Sequence, residues 1–312
     1  MTEAANHQPS SAAAAGRIIG FGGLDSARRF AGEFAESRMA VAAFIVFAAI
    51  LLAALLSPWI APIDPYDISK IDILDNRLPP GSASLSGMTY WLGTDGQGRD
   101  LLSAILYGLN TSLLVAVAAG GIALIVGISA GLTAAHFGGR VDALIMRLVD
   151  LQLSFPTILV AFILLAVLGR GVDKVILALA IVQWAYYCRT VRASALVEVN
   201  KEYMEAARGL GLGTARILFR HLLPNCLPPL LVIASVQVAH SIALEATLSF
   251  LGLGVPPTEP SLGLLIANGF QYLVSGRYWI TFFPGMALLL MVVSINLIGD
   301  RMRDVLNPHL QR

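Results

Sequence analysis

The chain has 312 residues, and its 21 Lys and Arg nearly balance its 20 Asp and Glu, for a formal net charge of +1. Charged residues make up 13% of the chain and apolar residues 56%, whereas an ordinary soluble domain has about 25% charged residues. Such a composition excludes a soluble enzyme and a disordered chain, and two cysteines are too few for a secreted disulfide scaffold. The balanced charge also argues against nucleic-acid binding. The composition therefore predicts a polytopic membrane protein.

Six apolar runs are long enough, or nearly so, to cross about 30 Å of hydrocarbon as helices. They predict membrane spans at residues 39–58, 112–135, 151–168, 172–188, 227–253 and 278–298. The fourth run is short and reaches across only when it is extended at its ends. The fold class predicted from these runs is all-α, with six transmembrane helices.

Lys and Arg are distributed unequally between the two sides that six crossings create. Most of them fall on the side that carries both termini, and cytoplasmic loops are enriched in these residues. We therefore predict a cytoplasmic tail at residues 1–38, a membrane domain at 39–308 and a cytoplasmic C-terminal tail at 299–312. An acidic external loop at 61–108 and a basic cytoplasmic loop at 196–225 interrupt the membrane domain.

The sequence carries no recognisable catalytic, metal-binding or nucleotide-binding motif. None of its three lysines follows a glycine, so the phosphate-binding pattern G-x-x-x-x-G-K-[ST] is missing. The five histidines are scattered, and no Cys/His pair has the spacing of metal ligands. Two ionisable residues, His240 and Glu245, lie inside the fifth predicted span. They leave two interpretations open, a proton relay or polar contacts within the helix bundle.

The cytoplasmic loop predicts a helix, a glycine turn and a second, amphipathic helix. Residues 202–208 favour a helix, and three glycines between 209 and 213 end it, because a left-handed backbone is accessible to glycine. A second helix is expected at 214–223, with Thr214 as its N-cap and its end at Pro224. Such an element either contacts a partner protein or lies on anionic lipid.

At these residues the sequence resembles a known family. Glu205, Ala206, Ala207 and Gly211, with Leu223 and Pro224 near the end of the loop, resemble the EAA loop of ABC importer permeases. His221 departs from the Ile of the general pattern and resembles the HxLPN ending of the peptide-transporter branch. The external loop is similar to the LGTDxxGRD signature of dipeptide/oligopeptide/nickel permeases, through Gly93, Thr94, Asp95, Gly98, Arg99 and Asp100. Residues 244–254 and 299–304 agree with the same family, and the C-type peptide permease subunit is the closest resemblance.

The resemblance implies a type I ABC importer permease of the MetI-like fold, in the inner membrane of a bacterium. The implied partners are a second, different permease chain, one or two ATPase subunits that bind ATP and Mg²⁺, an extracytoplasmic solute-binding protein and membrane lipid. The implied function is ATP-driven translocation of peptides, with no catalytic residue, metal or cofactor in this chain. An importer of nickel or another small solute, and a proton-coupled secondary transporter, are the alternatives.

The resemblance also implies roles for particular residues. Glu205, Ala206, Ala207 and Gly211 would form the surface and turn that dock into the ATPase, the alanines because small side chains permit close approach. In the external loop, Asp95, Arg99 and Asp100 either order the chain by ion pairs or contact the binding protein.

The G-x-x-x-G pattern at 127–131 is typical of close helix packing, within the chain or against the second permease. Pro156 predicts a kink in the third span.

Overall fold

The computed structural model describes residues 24–65, 67, 69, 71–84 and 87–306, and helices dominate them. In chain order these helices are α1 (Leu24–Ala35), α2 (Arg38–Leu55), α3 (Ser57–Ile60), α4 (Leu101–Phe137), α5 (Gly139–Ser154), α6 (Thr157–Leu168), α7 (Val172–Val199), α8 (Glu202–Gly209), α9 (Thr214–Arg216), α10 (Leu223–Phe250), α11 (Leu262–Phe270) and α12 (Trp279–Leu306). The segment between α3 and α4, which is predicted to be external, contains a 3₁₀ turn (Ile73–Asp75) and a two-stranded antiparallel sheet, in which β1 (Ser82–Ala83) pairs with β2 (Thr89–Tyr90).

Four helical stretches in the described part of the chain are long and apolar enough to cross a membrane. They are α2, α4, α10 with the residues leading into it from Thr214, and α12, and a fifth crossing results if the bent pair α5–α6 is one span. These stretches overlap the predicted spans at 39–58, 112–135, 227–253 and 278–298. The chain is therefore a helical membrane protein with four or five apolar spans, and the count of six stays a prediction that depends on α7.

The third predicted span, 151–168, is not one straight helix. α5 ends at Ser154, α6 begins at Thr157, and their axes differ by 90° across Pro156. Because proline has no N–H to donate, it interrupts the helical hydrogen bonds here. The Ser154 hydroxyl donates to the carbonyl of Asp150 at 2.6 Å within the last turn of α5. The 12 residues of α6 extend only about 18 Å, which is less than the thickness of the hydrocarbon.

The centre of the bundle is the packing of α4 against α7. Gly127 and Gly131 of α4 lie on α7, where a Cβ atom at Gly127 would come within 2.5 Å of the Tyr187 Cβ and 2.7 Å of the Trp184 carbonyl oxygen. A Cβ atom at Gly131 would lie 2.7 Å from the Cys188 carbonyl oxygen. The G-x-x-x-G pattern thus serves close packing inside this chain, the first of the two alternatives.

Helical structure continues into both predicted tails. Residues 299–306, in the predicted C-terminal tail, continue α12. At the other end, α1 packs against α2 and α12, and the Arg301 guanidinium on α12 donates to the carbonyl of Glu33 on α1. The first 23 residues of the predicted N-terminal tail and the last six of the C-terminal tail lie outside the described residues.

Candidate functional site

The loop predicted to be cytoplasmic folds as a helix, a turn and a second helix, but the second helix does not stop at Pro224. α9 passes through a π-helical turn (Ile217–Leu222) directly into α10, and Pro224, which has no backbone N–H to donate, lies in the first turn of α10 directly after that turn. The residue that precedes α9 is Gly213, and the predicted cap, Thr214, is the first helical residue. Leu223 and Pro224 therefore join the loop to a membrane-spanning helix instead of ending it.

The residues of α8 divide into a buried and an exposed face. Met204 and Ala207 are buried, whereas Glu205 and Ala206 are exposed. Of the two alanines, only Ala206 is exposed on the surface of the loop, because the methyl group of Ala207 packs inside this chain, and docking into a partner stays a prediction. The buried face joins an apolar cluster beneath the loop that includes Met204, Ile217, Leu218, Leu222, Cys226, Leu132 and Val191.

The turn after α8 requires glycine at one position. Gly211 has a φ of +68° with open space where a side chain would stand, so the backbone conformation, not crowding, is what selects glycine. Its N–H donates to the carbonyl of Arg208 at 2.9 Å, and the Leu212 N–H donates to that of Ala207 at 3.3 Å. These bonds close the end of α8 and reverse the chain.

Large apolar side chains and basic side chains are exposed together on this loop. Leu210 is 78% exposed although it lies outside the apolar spans. Because this loop is predicted to be cytoplasmic and to bind a partner, we call the exposed set the cytoplasmic contact surface, defined as Glu205, Ala206, Leu210, Arg216, Phe219 and Arg220. An apolar patch rimmed by charges is typical of a protein-binding surface.

A polar cluster ties the loop to the helices on both sides of it. Glu198, in the last turn of α7, accepts hydrogen bonds from Lys201 Nζ at 2.7 Å and from the Tyr203 hydroxyl at 2.8 Å. Asn225 Nδ2 of α10 lies 3.3 Å from the Tyr203 hydroxyl and donates to the His221 carbonyl at 2.7 Å. Burial and the Glu198 carboxylate both raise the pKa of Tyr203, so its hydroxyl stays protonated. Sequence reasoning missed this cluster, which depends on contacts between three helices.

The external signature forms a buried, hydrogen-bonded unit. Asp95 is 1% exposed and Arg99 3%, and they make an ion pair with Oδ2 and Nε 2.8 Å apart. The other oxygen of Asp95 accepts from the backbone N–H of Arg99 at 3.0 Å and of Gln97 at 2.8 Å. Gly93 and Gly98 both have a φ of +81°, and a Cβ atom at Gly93 would stand 2.5 Å from the Leu78 carbonyl oxygen. For Asp95 and Arg99 this arrangement matches the first of the two alternatives, an ion pair that orders the loop, whereas Asp100 forms no ion pair among the described residues.

The external signature also provides the N-terminal cap of α4. Asp100 is the N-cap of α4, and its carboxylate accepts from the Ser103 N–H at 2.9 Å and hydroxyl at 2.6 Å. Burial raises the pKa of the Asp100 carboxyl, although the bonds from Ser103 act in the opposite direction. Thr94 links the segments: its hydroxyl donates to the Asp75 carbonyl at 2.6 Å and accepts from the Leu78 N–H at 2.8 Å.

The structure does not bring His240 and Glu245 together. Glu245 is fully buried, and its carboxylate accepts from the hydroxyls of Ser112 at 2.8 Å and Ser249 at 2.7 Å. His240 lies on the opposite, exposed face of α10. The arrangement matches polar contacts within the bundle for Glu245, and it gives a relay between the two residues no geometric support.

Family comparisons agree with this architecture. Residues 123–312 match the family described as binding-protein-dependent transport system inner membrane component, and residues 27–80 match the N-terminal TM domain of oligopeptide transport permease C. The chain belongs to the family of binding-protein-dependent transport system inner membrane components. It is thus an inner-membrane transport component and not an enzyme, as the resemblance implied.

Several relatives are similar over most of their length. The di/tripeptide transport system permease protein DppC of Pseudomonas aeruginosa is 38% identical over 91% of this chain and 92% of its own. The dipeptide transport system permease protein DppC of Escherichia coli is 39% identical over 89% of this chain and 92% of its own. A putative peptide transport system permease protein of Brucella suis is 42% identical over 84% of this chain and 85% of its own.

Among solved structures, an inward-facing methionine ABC transporter, MetNI, contains a chain of the same fold. The TM-score is 0.53 at 21% identity, and the match covers 65% of this chain and 96% of the other. At this identity the likeness concerns the fold, which is the MetI-like permease fold that the resemblance implied.

Proposed function

We propose that this chain is one of two permease subunits of an ATP-driven importer that moves peptides across the cytoplasmic membrane of a bacterium. The observation that carries the proposal is the similarity, at 38–42% identity over 84–91% of the chain, to proteins named as peptide transport permeases. Di- and tripeptides are the substrate class that the names of the first relatives support. Nickel or another small solute is the alternative, because the scaffold motifs do not select the solute.

In this proposal an ATPase subunit binds the cytoplasmic contact surface, and its ATP-driven movement is transmitted to the membrane helices. Its exposed Leu210 and Phe219 would insert into a cleft of an ATPase subunit that binds ATP and Mg²⁺, and Glu205 and the two arginines would pair with charges at the rim. Gly211 would hold the turn in shape. Because the loop is bonded to α7 through Glu198 and is continuous with α10, movement of the ATPase would move both helices.

The proposed topology has six membrane crossings with both termini in the cytoplasm. α7 supplies the sixth crossing, because its first part covers the predicted span 172–188 and its buried face packs against α4. The excess of Lys and Arg on the side of the termini supports the orientation. A second, different permease would complete the passage, and an extracytoplasmic binding protein would deliver the peptide near the external loop.

Reconstitution of the complete importer in proteoliposomes tests the proposal. We expect uptake of a labelled dipeptide that requires both ATP and the binding protein. The Glu205→Lys variant should insert and fold but lose most of this uptake, whereas Arg147→Glu, a charge reversal at an exposed position of α5, should leave it unchanged. Uptake driven by a proton gradient without ATP would contradict the proposal, and ATP-driven uptake of Ni²⁺ alone would assign the alternative solute.

A further inference from the structure

The membrane-spanning helix α10 has one exposed stripe, although most of its surface is covered. α4, α7, α11 and α12 pack around it. Between residues 236 and 250 the exposed positions recur at spacings of four and three, at Val236, His240, Ala243, Thr247 and Phe250, and the residues between them are buried or half-buried. On a helix with 3.6 residues per turn, this spacing is a narrow line along one face.

An ionisable residue, His240, stands in this exposed stripe, which is unfavourable if the stripe faces lipid. It lies in the middle of the predicted span 227–253, and its imidazole is exposed on the surface of this chain. The structure records no hydrogen bond from His240 to any of the described residues. Ionisable side chains at this depth face the interior of a bundle or a water-filled cavity, because hydrocarbon offers them no partner.

Other polar side chains of α10 differ from His240 in having hydrogen-bond partners within the chain. Glu245 turns inward to two serine hydroxyls, and the Ser241 hydroxyl accepts from Gln183 Nε2 of α7 at 2.8 Å. Each of them has a partner inside the chain. His240 points outward, and no described residue of this chain hydrogen-bonds to it, so a partner for its imidazole has to come from outside these residues; the unpaired Gln237 Nε2 differs in being buried.

The stripe continues into a groove towards the external side. Ala243, Thr247 and Phe250 form one wall of this groove of about 290 Å³, and residues of α11 and α12 form the other. Backbone contact shapes the floor, because Gly263 of α11 lies against the backbone of Ala246. The groove and the exposed stripe share Ala243, Thr247 and Phe250 and are thus one continuous surface.

We propose that this stripe lines the aqueous passage and contacts the transported peptide, with His240 as its hydrogen-bonding group at the middle of the membrane. The inference rests on the proposed function. A neutral imidazole has one donor and one acceptor, so it can bind the N–H and C=O groups that every peptide carries, independently of the peptide's side chains. Thr247 lies two turns away, at about 10 Å, and its hydroxyl, which donates to the Ala243 carbonyl at 2.7 Å, keeps its lone pairs free to accept.

Thiol accessibility in the complete importer tests the position of the stripe. The His240→Cys variant is exposed to a charged, water-soluble thiol reagent in proteoliposomes, with Ile125→Cys as the matched control. Ile125 is 68% exposed on α4, at a similar depth in the predicted span 112–135, and the native Cys188 and Cys226 are buried. We expect the His240→Cys variant alone to react, its uptake to be blocked, and excess dipeptide to slow the reaction. Reaction no faster than that of the Ile125→Cys variant would overturn the proposal.

Two further substitutions test the contact with peptide. His240→Gln keeps a donor and an acceptor and should retain uptake within about threefold. His240→Leu should lower uptake at least tenfold while the complex assembles normally. Wild-type uptake by the His240→Leu variant, or a crosslink from the His240→Cys variant to the second permease that peptide does not prevent, would show a lipid-facing or sealed surface and refute the inference. A wild-type complex that hydrolyses ATP but imports no peptide would instead contradict the proposed function.

Discussion

Removing the Asp95 carboxylate should destabilise the external loop far more than removing a similar carboxylate at the surface. In the Asp95→Ala variant, the Arg99 guanidinium stays 3% exposed and loses the oxygen that lies 2.8 Å from its Nε. An uncompensated buried charge of this kind costs about 3–5 kcal/mol. Since each factor of ten corresponds to about 1.4 kcal/mol, the opening equilibrium of the loop should rise by roughly a hundredfold to a few thousandfold.

Hydrogen exchange in nanodiscs measures this change where it occurs. The Thr94 and Leu101 amides report on the loop, because they donate to the carbonyls of Leu78 and Gly93 at 3.0 Å. Their protection should fall by the factor given above or be lost entirely. Amides in the middle of α12 supply the internal reference, because they belong to a helix distant in sequence from the substitution.

Asp150→Ala is the matched control, because Asp150 also pairs with an arginine but in solvent. Its carboxylate lies 2.6 Å from Arg189 Nη2, with the two side chains 58% and 53% exposed. Such a pair contributes less than about 1 kcal/mol, so protection near it should change no more than about fivefold. The double variant Asp95→Ala/Arg99→Leu should recover much of the loss, because no charge is left unpaired. Equal effects of Asp95→Ala and Asp150→Ala would refute the reasoning.

Three further predictions concern the cytoplasmic loop and the cap of α4. Gly211→Val forces a β-branched residue to a φ of +68°, so ATP-dependent uptake should be lost while the complex still inserts, as measured in proteoliposomes. Ala207→Leu should lower the thermal stability of the purified chain by overpacking, about 1–3 kcal/mol, whereas Ala206→Leu should leave stability unchanged and weaken ATPase binding in a pull-down. Because burial raises the pKa of Asp100, the folded loop binds its proton more tightly than the unfolded chain does, and loop protection should fall as the pH rises from about 4 through the folded pKa. Asp100→Asn, which retains a good cap, should remove that fall in exchange measured against pH.

Hydropathy located most of the membrane helices because it reports directly on transfer into hydrocarbon. It did not locate α11, whose nine residues are too few to cross a bilayer and lie between the fifth and sixth predicted spans. The position of α11 depends on Gly263 touching the backbone of Ala246, a contact that no local pattern encodes. The Ser261 hydroxyl, which accepts from the Leu264 N–H at 3.2 Å, is a capping signal that could have indicated this helix.

The faces of helices were harder to predict than their existence. His240 and Glu245 are five residues apart and so point in directions that differ by about 140°, which sequence alone implies. Which of them turns inward depends on the serines that α4 and α10 place beside Glu245. Ala207 is a similar case. The helical period of α8 predicts that one face is buried, but the position of the apolar cluster beneath the loop determines that Ala207, and not Ala206, lies on that face.

The continuity of α9, the π-helical turn and α10 has a mechanical consequence that a loop ending at Pro224 would not have. Helical backbone runs without a break from Thr214, beside the cytoplasmic contact surface, to Phe250, at the end of the exposed stripe. A displacement applied at Phe219 would therefore reach His240 along one helix, in which the π-helical turn allows a change of register and Pro228 and Pro229, inside α10, allow a bend. Asn225 and Tyr203 bracket that turn and bind it to α7, so α7 and α10 would move together. Removing the Tyr203 hydroxyl should therefore lower peptide uptake per ATP hydrolysed, measured in proteoliposomes, without lowering ATP hydrolysis itself.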